Sequence, residues 1–164
     1  MTDTSATIQV YRIVIRASAQ AIWDAITKPE WSERYGYGSR VEYDLRPGGR
    51  YSAKASPEMK SMGLPDEMIV GEVIESDPPR KLVQTWHPIW DANSAAEAPT
   101  RLTHEIEEHQ GGVCTVTITH DVTGAPIVGG MVAGGGEPAR GGGGWPWVLS
   151  DLKSLLETGT RMEA

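Results

Sequence analysis

From residue 40 to residue 122 the chain alternates apolar and polar side chains in stretch after stretch, and turn residues interrupt it wherever a stretch ends. A period of two describes a pleated strand with one face buried, and it is incompatible with a helical bundle. The stretches are 40–45, 50–55, 68–76, 81–86, 101–107 and 113–122. Their connections are Pro47-Gly48-Gly49, a Met- and Pro-containing loop at 59–65, Asp77-Pro78-Pro79, a polar Ala-rich loop at 88–99 and Gly111-Gly112. A further Ile- and Val-rich strand, 7–15, precedes them, giving six or seven antiparallel strands.

Helical spacing occurs at the two ends of this array. Ser18 is placed as an N-cap for a helix carrying Ala19, Ile22, Trp23 and Ile26 on one face, with Pro29 closing it. A short helical piece at 30–35 follows. Near the C-terminus Trp145, Val148, Leu149, Leu152, Leu155 and Leu156 recur with a period of about 3.6, with Pro146 in the first turn and Gly159 as the stop. Strand, helix, short helix, six strands and a long helix make an α+β domain with its helices on one face of an antiparallel sheet. A sheet that wide curls around its helix, and the gap between them is a natural ligand cavity.

Length and charge narrow the functional classes. The 164 residues suit one domain, spanning 1–164 with an ordered core of about 7–159. A net charge of −7 argues against nucleic acid and anionic membrane surfaces as partners. Cys114 is the sole cysteine, which excludes an internal disulfide and a Cys-based zinc cluster, and its alternating surroundings mark it as a small buried hydrophobe. No apolar run is long enough to span a membrane, and the opening MTDTSATIQ is not that of a signal peptide, so a cytoplasmic location is expected. Residues 124–144 contain ten glycines, which predicts a mobile loop over the cavity mouth. The run at 141–144 lacks the Lys-Ser/Thr pair of a phosphate-binding loop.

Four segments together resemble a known family: IVIRASAQAIWDAITKP at 13–29, DLRPGGRY at 44–51, GEVIESDPPRKLVQTW at 71–86 and GWPWVLSDLKSLLETG at 144–159. They are similar to the START-like, or SRPBCC, superfamily, in the branch named after the activator of heat-shock protein 90 ATPase. The resemblance implies a helix-grip fold, a curved sheet wrapped around the C-terminal helix with a hydrophobic pocket between them. It leaves three roles open: a binder of an apolar or aromatic small molecule, a polyketide cyclase or aromatase type of enzyme, and a co-chaperone-like interaction module. Relatives usually carry a shorter, less glycine-rich segment before the last helix.

Alternation identifies the side chains that face the cavity. In 113–122 the apolar positions Cys114, Val116, Ile118 and Val122 share their side with His120; in 101–107, Leu102 and Ile106 share theirs with His104. If the hairpin loop has an odd number of residues, His104 pairs with Ile118 and Leu102 with His120, making the imidazoles diagonal neighbours roughly 7–8 Å apart at the backbone. Such a pair could hold a ligand oxygen or act as acid and base, or could be two half-buried histidines bonded to backbone. No third ligand has metal-site spacing, and no cofactor is expected. Trp86, on the side of Leu82, joins Tyr43, Tyr51 and Trp145 as an aromatic wall, with Val148, Leu149 and Leu152 on the facing helix. Trp31, Tyr35 and Tyr37 could line the opposite rim, and Met59, Met62 and Met68 a Met-rich lid. Strand 7–15, as a sheet edge, could support a homodimer.

Overall fold

The computed structural model describes residues 7–162; the N-terminal stretch 1–6 lies outside them. Strand β1 (Ile8–Ile15) leads into α1 (Ala19–Thr27) and the single turn α2 (Pro29–Ser32). The Ser18 side chain accepts from the Ala21 amide at 3.1 Å, satisfying an otherwise unpaired N–H of the first turn. Then come β2 (Arg40–Tyr43), β3 (Arg50–Lys54), α3 (Pro57–Ser61), β4 (Glu67–Asp77), β5 (Lys81–Pro88), α4 (Ala92–Ala95), β6 (Thr100–Glu108) and β7 (Cys114–Asp121). Helix α5 (Pro126–Ala133), a 3₁₀ turn at Pro138–Arg140 and the long helix α6 (Gly144–Thr158) complete the chain.

The strands form one antiparallel sheet in the order β1-β7-β6-β5-β4-β3-β2. Register shifts at Ala53/Lys54 and at Val73/Glu75 place bulges in its β3–β4–β5 half. Bulges increase local twist and bend a strand, and the bent sheet wraps its inner face around α6: the fold is a helix-grip. The core at that interface includes Ile22, Leu82, Leu102, Val116, Ile118 and Leu152, all at most 2% exposed. Burying one such aliphatic side chain stabilises the fold by roughly 1.5–3 kcal/mol. Cys114 is buried among them, as its alternating neighbours predict.

Three segments expected as loops contain helix. The turn α3 runs into 59–65 and α4 falls in 88–99, each short and capped by its own preceding residue, Ser56 or Asp91. The larger correction concerns 124–144, where the glycine content predicts a loop and the structure has α5. Four of its glycines, Gly134, Gly142, Gly143 and Gly144, serve close packing. Gly134 and Gly144 both have positive φ, and a Cβ on Gly144 would stand 2.3 Å from the Val132 carbonyl oxygen. Helices α5 and α6 therefore meet backbone to backbone at a corner that no larger residue fits. Glu97 holds the other end of α5, accepting from the Ile127 and Val128 amides at 2.7 and 2.9 Å. Val128 and Val132 are buried, and Gln9 on β1 donates to the Gly129 carbonyl at 2.9 Å.

Helix α6 also reaches the sheet edge. Lys153 donates to the Val14 carbonyl and Glu157 accepts from the Arg16 amide, both at 2.7 Å. The C-terminal end of β1, considered above as a dimer edge, thus has backbone groups already engaged within the chain. Among the described residues no helix is long and apolar enough to cross a membrane.

Candidate functional site

The hairpin between β6 and β7 spans residues 109–113, five positions, so its parity is odd. His104 lies opposite Ile118 and Leu102 opposite His120, the pairing inferred from the two apolar faces. On the other side of β6, His104 lies opposite Leu82 and Thr100 opposite Trp86. Strands β5, β6 and β7 therefore bring Trp86, His104 and His120 to one patch of the inner face. Trp145, at the start of α6, closes over it, its ring centre 6.0–6.3 Å from those of the two histidines and Trp86.

His120 is fully buried and fully bonded. The Trp145 indole N–H donates to its Nδ1 at 3.0 Å, so Nδ1 is the acceptor of a neutral ring. Nε2 then carries the proton, 2.8 Å from Thr100 Oγ1, whose own hydroxyl donates to the Trp86 carbonyl at 2.6 Å. Burial lowers the His120 pKa to about 4, outweighing the neighbouring Asp121 carboxylate. His104 differs. It is 6% exposed, and its Nδ1 is buried without a hydrogen-bond partner. Burial, with the proximity of His120, lowers its pKa to about 4 as well, so both rings are neutral near pH 7.

Beside this patch, between the sheet and α6, lies a cavity of about 190 Å³. From the sheet its wall includes Tyr43, Tyr51, Trp86 and His104; from α6, Trp145, Val148, Leu149 and Leu152; and Tyr35 closes it from the loop after α2. The Tyr43 and Tyr51 rings are 4.6 Å apart and tilted by 36°. Tyr43 donates to Gln84 Oε1 at 2.5 Å and Tyr35 to the Ala25 carbonyl at 2.9 Å. Burial pushes the hydroxyl pKa values of Tyr35, Tyr43 and Tyr51 upward, so these groups stay protonated. A larger depression of about 520 Å³ lies outside this space, open to solvent and bordered by Asp24, Lys28 and Glu42; only Tyr43 borders both. The aromatic cavity is the better ligand site, because its wall is the more apolar and the less open of the two.

Three expected residues stand outside the wall. His120 sits behind Trp145, spent on the chain of bonds just described. Trp31 packs on the core from outside and carries the Arg34 guanidinium 4.6 Å over its ring. Met68 occupies the opposite side of β4 from the wall residue Ile69, and Met62 is 68% exposed, so the methionines do not gather into a lid. Conversely, sequence reasoning passed over Gln84, fully buried as the partner of Tyr43. Its signal was available: a polar residue on the inward side of β5, between Leu82 and Trp86.

The rim is tied to the C-terminal end of the chain. Asp151 of α6, itself fully buried, accepts from the Gly36 amide at 2.8 Å and the Met162 amide at 2.6 Å. Arg161 donates to the Gly36 carbonyl at 2.7 Å. Tyr37 accepts from the Gly143 amide at 2.8 Å and donates to the Pro138 carbonyl at 3.2 Å. Among the described residues no cluster of three His, Cys, Asp or Glu side chains could hold a metal ion.

Comparison with known proteins agrees with this architecture. Residues 16–157 match the family described as activator of Hsp90 ATPase homolog 1-like protein. No curated protein matches the chain. Among solved structures, CalU16 from Micromonospora echinospora is similar at a TM-score of 0.62 and 18% identity, over 92% of this chain and 74% of that one. MLL2253 from Mesorhizobium loti gives 0.65 and 18%, over 92% and 96%. PFC0360w of Plasmodium falciparum, described as an HSP90 activator, gives 0.54 and 22%, over 70% and 72%. At these identities the likeness carries the fold alone.

Proposed function

The chain belongs to the activator of Hsp90 ATPase homolog 1-like family, and on that premise we propose that it binds an apolar small molecule in the cavity between sheet and α6, as a carrier or sensor. The observation that carries this reading is the wall itself: it is largely aromatic and aliphatic and includes no Asp, Glu, Lys or Arg. Such a wall favours an apolar guest and penalises an ion, which would lose its hydration without a counter-charge.

Native mass spectrometry of the protein purified from its own host tests the reading, together with a thermal-shift screen of aromatic compounds. A retained small molecule, or a stabilising compound whose effect is lost when Val148→Trp fills the cavity, is the expected result. An empty protein that no compound stabilises would overturn it.

A second reading, chemistry at the histidines, draws on His104 alone, because both nitrogens of His120 are engaged. The unpartnered nitrogen of His104 favours that reading. It predicts that His104→Leu abolishes turnover of a bound compound while binding survives.

A further inference from the structure

The cavity's size, its charge and one orphaned atom together restrict what it can hold. About 190 Å³ is somewhat more than the 150 Å³ or so of an engineered apolar cavity that accepts benzene. A single substituted ring fits within that space. With no Asp, Glu, Lys or Arg in the wall, and with tyrosines and His104 held in their neutral forms, nothing offsets a charge on the guest.

Most polar groups of the wall are spoken for, the Tyr51 hydroxyl being an exception beside His104. Tyr35 and Tyr43 bond to Ala25 and Gln84, and the Trp145 indole to His120. Ser32 accepts from the Val41 amide at 3.0 Å. Among the described residues only two buried side-chain nitrogen or oxygen atoms lack a partner, Ser76 Oγ and His104 Nδ1, and of those two residues only His104 lines the cavity. An unpaired buried polar atom costs roughly 1–3 kcal/mol, which a bound partner recovers. A hydroxyl answers either tautomer of a neutral imidazole, donating to a bare nitrogen or accepting from an N–H; a carbonyl answers only the second.

We propose that the guest is an uncharged single-ring compound bearing a hydroxyl group, a phenol in the simplest case, with the hydroxyl paired to His104. This rests on the cavity reading above and goes further, naming the ligand's class and the residue that selects it.

The probes are p-cresol, its shape analogue p-xylene, in which a methyl replaces the hydroxyl, and the charged p-toluate. Each is titrated calorimetrically into the wild type and into His104→Leu. The expected result is that p-toluate does not bind, and that the ratio of p-cresol to p-xylene affinity falls at least about tenfold in His104→Leu. In the wild type, p-cresol but not p-xylene should move the ¹⁵N resonance of His104 Nδ1, a readout that survives even if the variant does not fold. An unchanged ratio with an unmoved resonance, or binding of p-toluate equal to that of p-cresol, overturns the proposal while the cavity reading stands. Failure of all three probes, with larger aromatic compounds also failing to stabilise the protein, overturns both.

Discussion

Trp145 donates its indole N–H to His120 Nδ1 at 3.0 Å, and the proton on Nε2 then faces Thr100, 2.8 Å away. One helix residue thereby selects the tautomer of a histidine on the opposing sheet, and the bond ties the start of α6 to β7. Nitrogen-15 NMR should show His120 as the Nε2–H tautomer throughout pH 6–8. Trp145→Phe keeps most of the ring and removes the donor, so it should cost about 1–3 kcal/mol of stability in urea unfolding. A variant as stable as wild type would show that the bond is not maintained in solution.

Both His104 and His120 have pKa values lowered to about 4, from an ordinary 6.5. Between those values the unfolded chain takes up protons that the folded chain refuses, so stability rises with pH there and levels off above about 7. Complete protonation of either ring would cost on the order of 3 kcal/mol. The carboxylates whose pKa values are lowered in the fold, Asp66, Glu67, Asp121 and Glu157, lose their contributions only as pH falls into and below the ordinary carboxylate range. Urea unfolding between pH 5 and 7 therefore isolates the histidines. His104→Leu should flatten the slope by about half, and a flat wild-type profile would contradict the neutral burial of both rings.

Glu97 supplies two acceptors to the first turn of α5 from thirty residues away in the chain. Glu97→Ala should raise amide exchange across 126–133 and destabilise the protein by about 0.5–2 kcal/mol, as loss of a helix cap does. Exchange unchanged in that segment would mean that burial of Val128 and Val132 alone holds the helix.

Two glycine substitutions should act in opposite directions. A Cβ on Gly130, within α5, meets nothing within 4 Å, so Gly130→Ala should stabilise by roughly 0.5–1 kcal/mol through helix propensity. Gly144 has φ +58° and the Val132 carbonyl close by, so Gly144→Ala should destabilise by more than about 1 kcal/mol. Thermal denaturation of the two variants checks the pair, and equal effects would show that the corner between α5 and α6 has slack.

The sheet was legible in the sequence because strand alternation is local. The parity that sets His104 opposite Ile118 follows from which residues of two neighbouring strands are apolar, and the family resemblance supplied the rest of the architecture. The leucine spacing of α6 is equally local. Helix α5 was not legible, because glycine content carries no information about the packing partner that requires it. The cap on α5 comes from Glu97 and the corner from Val132, and neither contact appears until the chain is folded. The site divided in the same way. Alternation placed Trp86 and His104 on the inner face. It could not tell that His120 would be consumed by Trp145 and Thr100 while His104 kept an unpaired nitrogen. Met68 shows the opposite error, an apolar residue at a strand start whose side of the sheet depends on where the strand begins.

The clasp of Asp151, Gly36 and Arg161 at the rim stands apart from the aromatic floor and the His104 nitrogen. Under the cavity reading, equilibrium affinity is written in the floor, whereas the rate at which a guest leaves is governed by how often the clasp opens. Residence time and affinity are then separately adjustable, and Arg161 and its neighbours in the clasp are the place to adjust the first. A purification tag joined after Ala164 would lie two residues from Met162 in that latch, so a tag at the opposite end of the chain is the safer choice for measuring exchange.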